Sequence, residues 1–296
     1  MIQPIIMASG GFTFKVIATQ TIAWLFSTIA GQTITVDWGD GTSSSYTGTD
    51  QVYSKDYGSV GNRVVRIRNK NALTKFRMAT VGANISFALA ELPRSVTTFV
   101  CTGSNTVSGS LSDLPAGLTY FTVQGSNTIS GPISGIPVTM KSFTVQGSNT
   151  ISGSLSDLPA EVTFFNCQGS NTVSGSLVSL PAGVTTFICT GSNTISGSLS
   201  DLPVEMTTFI CTGSNTVSDY TTKTWTTKPA TFDFRPKAGY GLSESEINQL
   251  LIDFNDDLVW AAGNAITLTG GNAAPTGLGI DAKNAIIAEG ATVTTN

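Results

Sequence analysis

Four cysteines are the side chains in this sequence whose chemistry can be judged from position alone. All of them occupy one position of a 22-residue repeat, which Val123 and Val145 fill in other copies. They are Cys101, Cys167, Cys189 and Cys211. A position that accepts cysteine and valine alike is a packing position, because a small apolar side chain satisfies it without sulfur chemistry. We therefore predict four buried thiols rather than a metal cluster or a disulfide framework.

The remaining residue types do not assemble a catalytic group. The sequence contains no histidine, which excludes Ser-His and Cys-His catalysis and His-ligated metals. Asp113, Asp157 and Asp201 are separated by multiples of the repeat, so they would lie more than one coil apart and could not work as a carboxylate pair. The chain also lacks a Gly-rich phosphate loop and metal-ligand spacing. We predict a non-enzymatic protein with no cofactor.

Two aspartates near the N-terminus lie in the run Val-Asp-Trp-Gly-Asp-Gly-Thr. Asp37 and Asp40 could bind calcium together with Asp50 or Asp56, since calcium prefers carboxylate oxygens. The alternative is that they shape the tight turn that Asp-Gly indicates after a strand. We favour the turn and predict no metal site.

Basic residues cluster around the end of this N-terminal region. Six of the fifteen lysines and arginines lie between residues 63 and 77: Arg63, Arg66, Arg68, Lys70, Lys75 and Arg77. They are either the solvated face of one strand and a junction loop, or an attachment patch for an acidic partner. The net charge of −4 argues against a general nucleic-acid binder.

The element that must position most of these residues is the repeat itself. Gly-Ser-Asn recurs without change of spacing at Gly103, Gly125, Gly147, Gly169, Gly191 and Gly213. A fixed short period indicates a solenoid. Apolar and polar residues alternate around each repeated Phe, which predicts a strand, and the Gly, Ser, Asn and Pro positions predict turns. Stacked strands would form a parallel sheet, with the repeated Asn in an internal ladder that satisfies backbone groups.

One face of that predicted sheet is a candidate binding surface. Residues between the buried strand positions must point outward, and they are almost uncharged, with Lys141 as the exception. The candidates are Tyr120, Phe164, Gln124, Gln146, Gln168 and Asn166. Amides and hydroxyls beside exposed aromatics suit a neutral sugar chain or a protein partner. The alternative is an inert surface of good strand formers.

The repeat frame L-x-x-F-x-V-x-x-x-N-x-I-x-G-x-L resembles a leucine-rich repeat of a longer-strand variety. The resemblance covers about residues 73–234, beginning with an imperfect first repeat at Leu73 that carries one inserted residue. It implies a mainly β solenoid over residues 71–235 and a binding role. A parallel β-helix is the nearest structural alternative.

Residues 1–70 predict a small β-sandwich that abuts the solenoid without a free linker. The Trp38-Gly-Asp-Gly turn, followed by Tyr57 and a closing strand, resembles the PKD-type immunoglobulin-like domain. The sequence departs from that pattern at Lys55-Asp56, where an aromatic residue or His usually stands.

Residues 236–296 predict an α/β cap on the open end of the solenoid, since solenoid ends require caps. Ser243 and Glu246 form a capping box that opens a helix with one apolar stripe. A strand at 265–268, a second helix at 281–289 and a final strand at 291–296 should follow.

The order of these three parts resembles surface and virion proteins of gut Bacteroidales and their phages. Residues 1–10 lack a basic n-region and make a poor signal peptide, and no apolar run is long enough to span a membrane. The resemblance implies a virion protein: a tail-fibre, receptor-binding or capsid-decorating component. Its N-terminal domain would contact other virion proteins, and its solenoid would contact host surface polysaccharide or protein, without nucleic acid or membrane insertion. The alternatives are a bacterial cell-surface adhesin and a protein-binding scaffold.

Overall fold

The computed structural model describes residues 11–18, 21–79 and 83–296. The predicted absence of a signal peptide concerns residues 1–10, which lie outside these ranges. The fold is mainly β, with many parallel strands in a repeating arrangement and two helices near the C-terminus.

Six strands precede the repeats and form two antiparallel layers. They are β1 Phe12–Ala18, β2 Thr21–Thr28, β3 Ile34–Asp37, β4 Ser43–Tyr46, β5 Gln51–Asp56 and β6 Gly61–Arg68. One layer has the order β4-β3-β6-β1, and the other pairs β5 with β2. Side chains alternate along these strands, so that Phe12, Phe14 and Trp24 are buried between the layers.

The repeats contribute thirteen strands, β7 to β19. They are β7 Leu73–Ala79, β8 Ala83–Ala88, β9 Thr98–Ser110, β10 Tyr120–Gly125, β11 Thr128–Pro132, β12 Ser142–Gln146, β13 Thr150–Ser154, β14 Phe164–Gln168, β15 Thr172–Ser176, β16 Thr186–Cys189, β17 Thr194–Ser196, β18 Thr208–Thr212 and β19 Thr231–Arg235. A regular coil supplies two strands and then a short 3-10 turn, such as Leu111–Asp113.

These strands build two parallel sheets, whereas the sequence predicts only one. The long sheet runs β7-β9-β10-β12-β14-β16-β18-β19, and the short sheet runs β8-β9-β11-β13-β15-β17, with the long strand β9 belonging to both. The second strand of each coil was missed because it is short and contains Ser and Gly, which are poor strand formers. Stacking on the neighbouring coil supplies its ladder partners.

Both sheets continue from the N-terminal layers into the repeats. β2 pairs with β7 in antiparallel fashion, placing Phe26 opposite Phe76, and β7 pairs with β9 in parallel fashion, placing Phe76 opposite Phe99. On the other layer β1 pairs with β8. The buried side chains of the two regions form one continuous hydrophobic core. The division at residues 70 and 71 stays a prediction.

A column of phenylalanines runs through the centre of the repeats. Between Phe99 and Phe209, consecutive rings have centroids 5.7 to 5.9 Å apart and are nearly parallel. Each ring is fully buried, and burying such a side chain contributes about 1.5–3 kcal/mol. The column explains why this position tolerates no other residue in the six copies.

The predicted asparagine ladder is confirmed. In each regular coil the Asn side chain is fully buried, and its amide oxygen accepts a hydrogen bond from a backbone N–H of the preceding coil. The bonds are Val107 N to Asn127 Oδ1 at 3.0 Å, Ile129 N to Asn149 Oδ1 at 3.1 Å, Ile151 N to Asn171 Oδ1 at 2.9 Å and Val173 N to Asn193 Oδ1 at 3.0 Å. The ladder satisfies donors that the turn between the two sheets leaves unpaired.

The C-terminal region extends the long sheet with two more parallel strands and covers it with two helices. The elements are α1 Glu244–Asp257, β20 Ala265–Leu268, α2 Gly277–Ala288 and β21 Thr292–Thr295. The capping box of α1 is confirmed. Helix α2 begins four residues before the predicted start, because Gly279 lies directly against Asn248 of α1 and tertiary packing overrides the weak helix propensity of glycine.

Carboxylates of α1 hold the irregular segment that leads into this region. Asp253 Oδ2 accepts from the Tyr220 hydroxyl at 2.7 Å and from the Lys223 N–H at 3.0 Å. Asp257 accepts from the Trp225 N–H at 2.7 Å. Because the segment has no strand partner for these N–H groups, the helix supplies the acceptors that a ladder would otherwise provide.

Candidate functional site

The four cysteines are buried thiols in the strand core, as the sequence predicts. Burial raises the pKa of Cys101, Cys167 and Cys211 to about 12, and raises that of Cys189 well above its ordinary value. The thiols therefore stay protonated, and only thiolates are nucleophiles or metal ligands. Among the residues that the structure describes, no group of three acidic, cysteine or histidine side chains is placed to hold a metal ion.

Asp37 and Asp40 are engaged in the turn that follows β3. Asp37 Oδ1 accepts from the Gly39 N–H at 3.3 Å, while Asp40 accepts from Thr42 N–H at 3.0 Å and lies 2.8 Å from Lys55 Nζ. Partial burial alone would raise the pKa of Asp40, but the hydrogen bonds from Lys55 and Thr42 lower it to about 2. These contacts favour the turn-shaping role over a calcium site.

The six basic residues predicted as one attachment patch do not lie on one surface. Arg66 and Arg68 alternate with the inward Val65 and Ile67, so they point outward from the short-sheet layer. Arg68 lies 3.5 Å from Asp37. The other members are dispersed: Arg63 covers the Tyr57 ring at 5.2 Å, and Lys70 lies in a 3-10 turn.

Lys75 and Arg77 instead project from β7 onto the outer face of the long sheet. The strand register places Lys75 in one row with Thr98 and Tyr120. It places Arg77 in the next row with Val100 and Thr122. Two of the predicted attachment residues thus share a face with the predicted binding residues.

The candidate binding residues are only partly accessible on that face. Tyr120 is 43% exposed, whereas Phe164, two strands away in the same row, is half-buried. Asn166 is only 6% exposed, because it lies in the middle of the sheet between large outward neighbours, and its amide oxygen accepts from Gln168 Nε2 at 2.9 Å. The glutamines form one aligned row of partly exposed amides: Gln124, Gln146 and Gln168.

A shallow depression of about 790 Å³ lies on this face where β2, β7, β9 and β10 meet. Lys75, Arg77, Tyr120 and Lys141 line it, together with outward threonines. The sequence already contained the information needed to find it. The frame Leu-x-x-Phe-x-apolar at 73–78 aligns β7 with the later strands, so extending the outward columns by one coil would have placed both cations beside Tyr120.

The depression is positively charged although the chain carries a net charge of −4. Lys75 Nζ lies 2.7 Å from Asp50 Oδ1, and this bond holds the pKa of Asp50 below its ordinary value. Arg77 and Lys141 are exposed, and neither has an ion-pair partner within the described ranges. Within the described residues, the depression therefore offers two cations without an ion-pair partner, several threonine hydroxyls and one accessible aromatic ring.

Comparison with protein-family models and with curated proteins finds no match for this chain. None of the helices in the described part of the chain is long and apolar enough to cross a membrane. What the structure supports is its architecture: a mainly β, solenoid-like repeat protein with two parallel sheets and two C-terminal helices.

Proposed function

We propose that this protein is a non-enzymatic virion component of a bacteriophage that binds a host-surface glycan through the outer face of its long sheet. The observation that carries the proposal is the row structure of that face. Hydroxyl and amide side chains recur in register on successive strands, and an exposed aromatic ring, Tyr120, stands among them.

The spacing of these rows suits a polymer of sugars. Neighbouring strands lie about 4.8 Å apart, so the row of Gln124, Gln146 and Gln168 presents an amide at a regular short interval. A sugar chain likewise presents hydroxyls at a regular interval, and the apolar face of a sugar ring can lie on an aromatic side chain such as Tyr120. A ligand that lies across the strands would contact one of these amides on each of β10, β12 and β14.

The strands that carry this face pack on the phenylalanine column, and buried asparagines hydrogen-bond the turns of the regular coils. We expect this packing to hold the face in one conformation before a ligand binds. A preorganised surface loses little conformational entropy on binding, which leaves more of the contact energy for affinity.

We also propose a leucine-rich-repeat origin for the solenoid and a PKD-like fold for the N-terminal layers. The C-terminal coils, in which α1 and α2 alternate with parallel strands, support a leucine-rich-repeat origin. The regular coils carry a second parallel strand, a feature expected of the β-helix alternative. A PKD-like N-terminal sandwich is proposed from the resemblance of the sequence around Trp38 and Tyr57, whose hydroxyl donates to the Trp38 carbonyl oxygen at 3.1 Å.

Attachment to the particle would use the N-terminal region. Arg66 and Arg68 remain there as candidate attachment residues on the short-sheet layer, whereas Lys75 and Arg77 are reassigned to the ligand-binding face. The virion location itself rests on the resemblance of the sequence to phage proteins. Immunogold labelling of purified particles and of host cells would separate a virion protein from a cell-surface adhesin.

The binding proposal is tested with labelled protein on intact bacterial cells and on their extracted surface polysaccharide. Tyr120→Ala and Phe164→Ala should each lose binding. Tyr240→Ala is the matched control, because Tyr240 is 44% exposed, nearly the same as Tyr120, but lies near the helices. A folded wild-type protein that binds neither cells nor polysaccharide would contradict the proposal, as would full binding by Tyr120→Ala.

A further inference from the structure

Building on the proposed function, we propose that the depression around Tyr120 selects an acidic polysaccharide. One sugar ring would lie on Tyr120, and carboxylates of the same chain would bind Arg77 and Lys141. The sequence predicts a neutral sugar chain or a protein partner, so this inference changes the chemical class of the glycan.

The distribution of charge on the long sheet motivates the change. From β9 to β18 the outward strand positions are uncharged, and at β19 the charges pair with each other, since Arg235 lies 2.7 Å from Asp233. Among the described residues on the outer face of the long sheet, the cations without an ion-pair partner therefore lie at one end, around the depression. In a chain with net charge −4, a local excess of cations on an otherwise neutral face is a specific attraction for an anion.

The positions of the cations relative to the ring fit an extended anionic chain. Arg77 lies on β7, two strands from Tyr120 on β10, which is about 10 Å across the sheet. Lys141 lies on the opposite side of Tyr120, immediately before β12. A chain that crosses the strands over Tyr120 would therefore meet a cation before and after the ring, as a polymer with recurring carboxylates requires.

The paired lysine and the unpaired cations have different roles. Lys75 is held by Asp50, which also contacts the Ser27 hydroxyl, so this pair forms a fixed wall of the depression. Arg77 has no such partner in the described part of the chain and keeps its planar fork of donors available. That fork matches the two oxygens of a carboxylate in a way that a lysine ammonium cannot.

Other anionic polymers fit this surface less well. An acidic peptide would bind most readily by adding a strand to a sheet edge, but β7, β9, β10 and β12 are interior strands whose ladders are already paired. Single-stranded nucleic acid is bound by stacking successive bases on several aromatic rings. Among the described residues of this face, Tyr120 is the one exposed aromatic side chain, and Phe164 in the same row is half-buried.

The test compares two forms of one polymer, polygalacturonate and its highly methyl-esterified form, which differ mainly in charge. Dextran and an oligothymidylate are the further probes, and affinity is measured at low and high salt. We expect wild-type protein to bind polygalacturonate about tenfold more tightly than the ester, with the difference reduced by salt.

The variants separate charge, geometry and stacking. Arg77→Gln combined with Lys141→Gln should lower affinity for polygalacturonate about tenfold and leave binding of the ester unchanged. Arg77→Lys keeps the charge but loses the fork, and it should weaken acidic binding in part. Tyr120→Ala should weaken binding of both forms. Lys237→Gln, which removes one positive charge from an exposed lysine of the C-terminal region, is the control for a general loss of charge and should change neither.

The outcomes distinguish failure of the acidic-glycan inference from failure of the proposed function. Equal affinity for the acidic and esterified forms would overturn the acidic-glycan inference, but Tyr120-dependent binding of both would uphold the proposed function. Tighter binding of the oligothymidylate than of polygalacturonate would also overturn the inference. A folded wild-type protein that binds no glycan and no cells would overturn both.

Discussion

The asparagine ladder gives the sharpest stability prediction, because two of its members make different numbers of hydrogen bonds. Asn171 is fully buried, and its Oδ1 accepts from the Ile151 N–H at 2.9 Å, while its Nδ2 has no partner within the described residues. Asn127 makes the equivalent bond from Val107 at 3.0 Å, and its Nδ2 also donates to the Gln146 carbonyl oxygen at 3.2 Å.

Alanine at either position leaves one buried N–H without an acceptor, which costs about 1–3 kcal/mol. In Asn171→Ala this cost is partly offset, because the substitution also removes a buried donor that had no acceptor. In Asn127→Ala a second bond is lost instead, which adds about 1 kcal/mol. We therefore expect Asn127→Ala to lower the free energy of unfolding by at least about 1 kcal/mol more than Asn171→Ala does.

Urea unfolding followed by far-UV circular dichroism measures the difference, provided that the m-values of the variants agree. Ser170→Ala, an exposed substitution in the same turn as Asn171, is the control and should be nearly neutral. The account of the ladder is refuted if Asn171→Ala costs as much as Asn127→Ala. It is also refuted if both variants match the control.

Three further predictions follow from buried or paired ionisable groups. Native Cys189 should not react with iodoacetamide at about pH 8 and should react once the protein is unfolded in urea, because burial keeps the thiol protonated and shielded; rapid native alkylation would contradict this. Asp40 should titrate at about 2 by NMR, and its contribution to stability should be present above the unfolded pKa of about 3.9 and be lost as the pH falls towards 2. Lys55→Met should raise that midpoint, and an unchanged midpoint would refute the role of the ion pair. Asp253→Ala should destabilise the fold by about 3 kcal/mol or more, and Tyr220→Phe by less, because Asp253 also accepts a backbone N–H; equal costs would contradict this ranking.

Much of the solenoid could be predicted from the sequence, since its period repeats the same local choice in every coil. The phenylalanine column, the buried cysteines and the asparagine ladder all follow from residues that recur at one position. The second sheet could not be predicted, because its strands consist of Thr, Ser and Gly around one apolar residue. Gly131 illustrates why these residues are needed: its φ is +104°, and a Cβ there would lie 2.8 Å from Ser110 Oγ of the preceding coil.

The candidate site was predicted only in pieces. Tyr120 was identified from the outward columns, and Lys75 and Arg77 were identified from charge density. Charge density along the chain cannot show which side of a strand each cation occupies, so residues on opposite layers were grouped together. The strand register shows that Arg66 and Arg68 lie on a different layer from Lys75. It also shows that Lys75 lies in one row with Tyr120.

Oxidative footprinting of the complex with polygalacturonate shows whether the ligand contacts the outer face of the long sheet. Tyr120 and Tyr240 are 43% and 44% exposed, so they should be oxidised at similar rates in the free protein. We expect saturating ligand to protect Tyr120 from oxidation and to leave the oxidation rate of Tyr240 unchanged. Protection of Tyr240 with Tyr120 still reactive, or measurable binding that protects neither residue, would contradict a ligand site on the outer face of the long sheet.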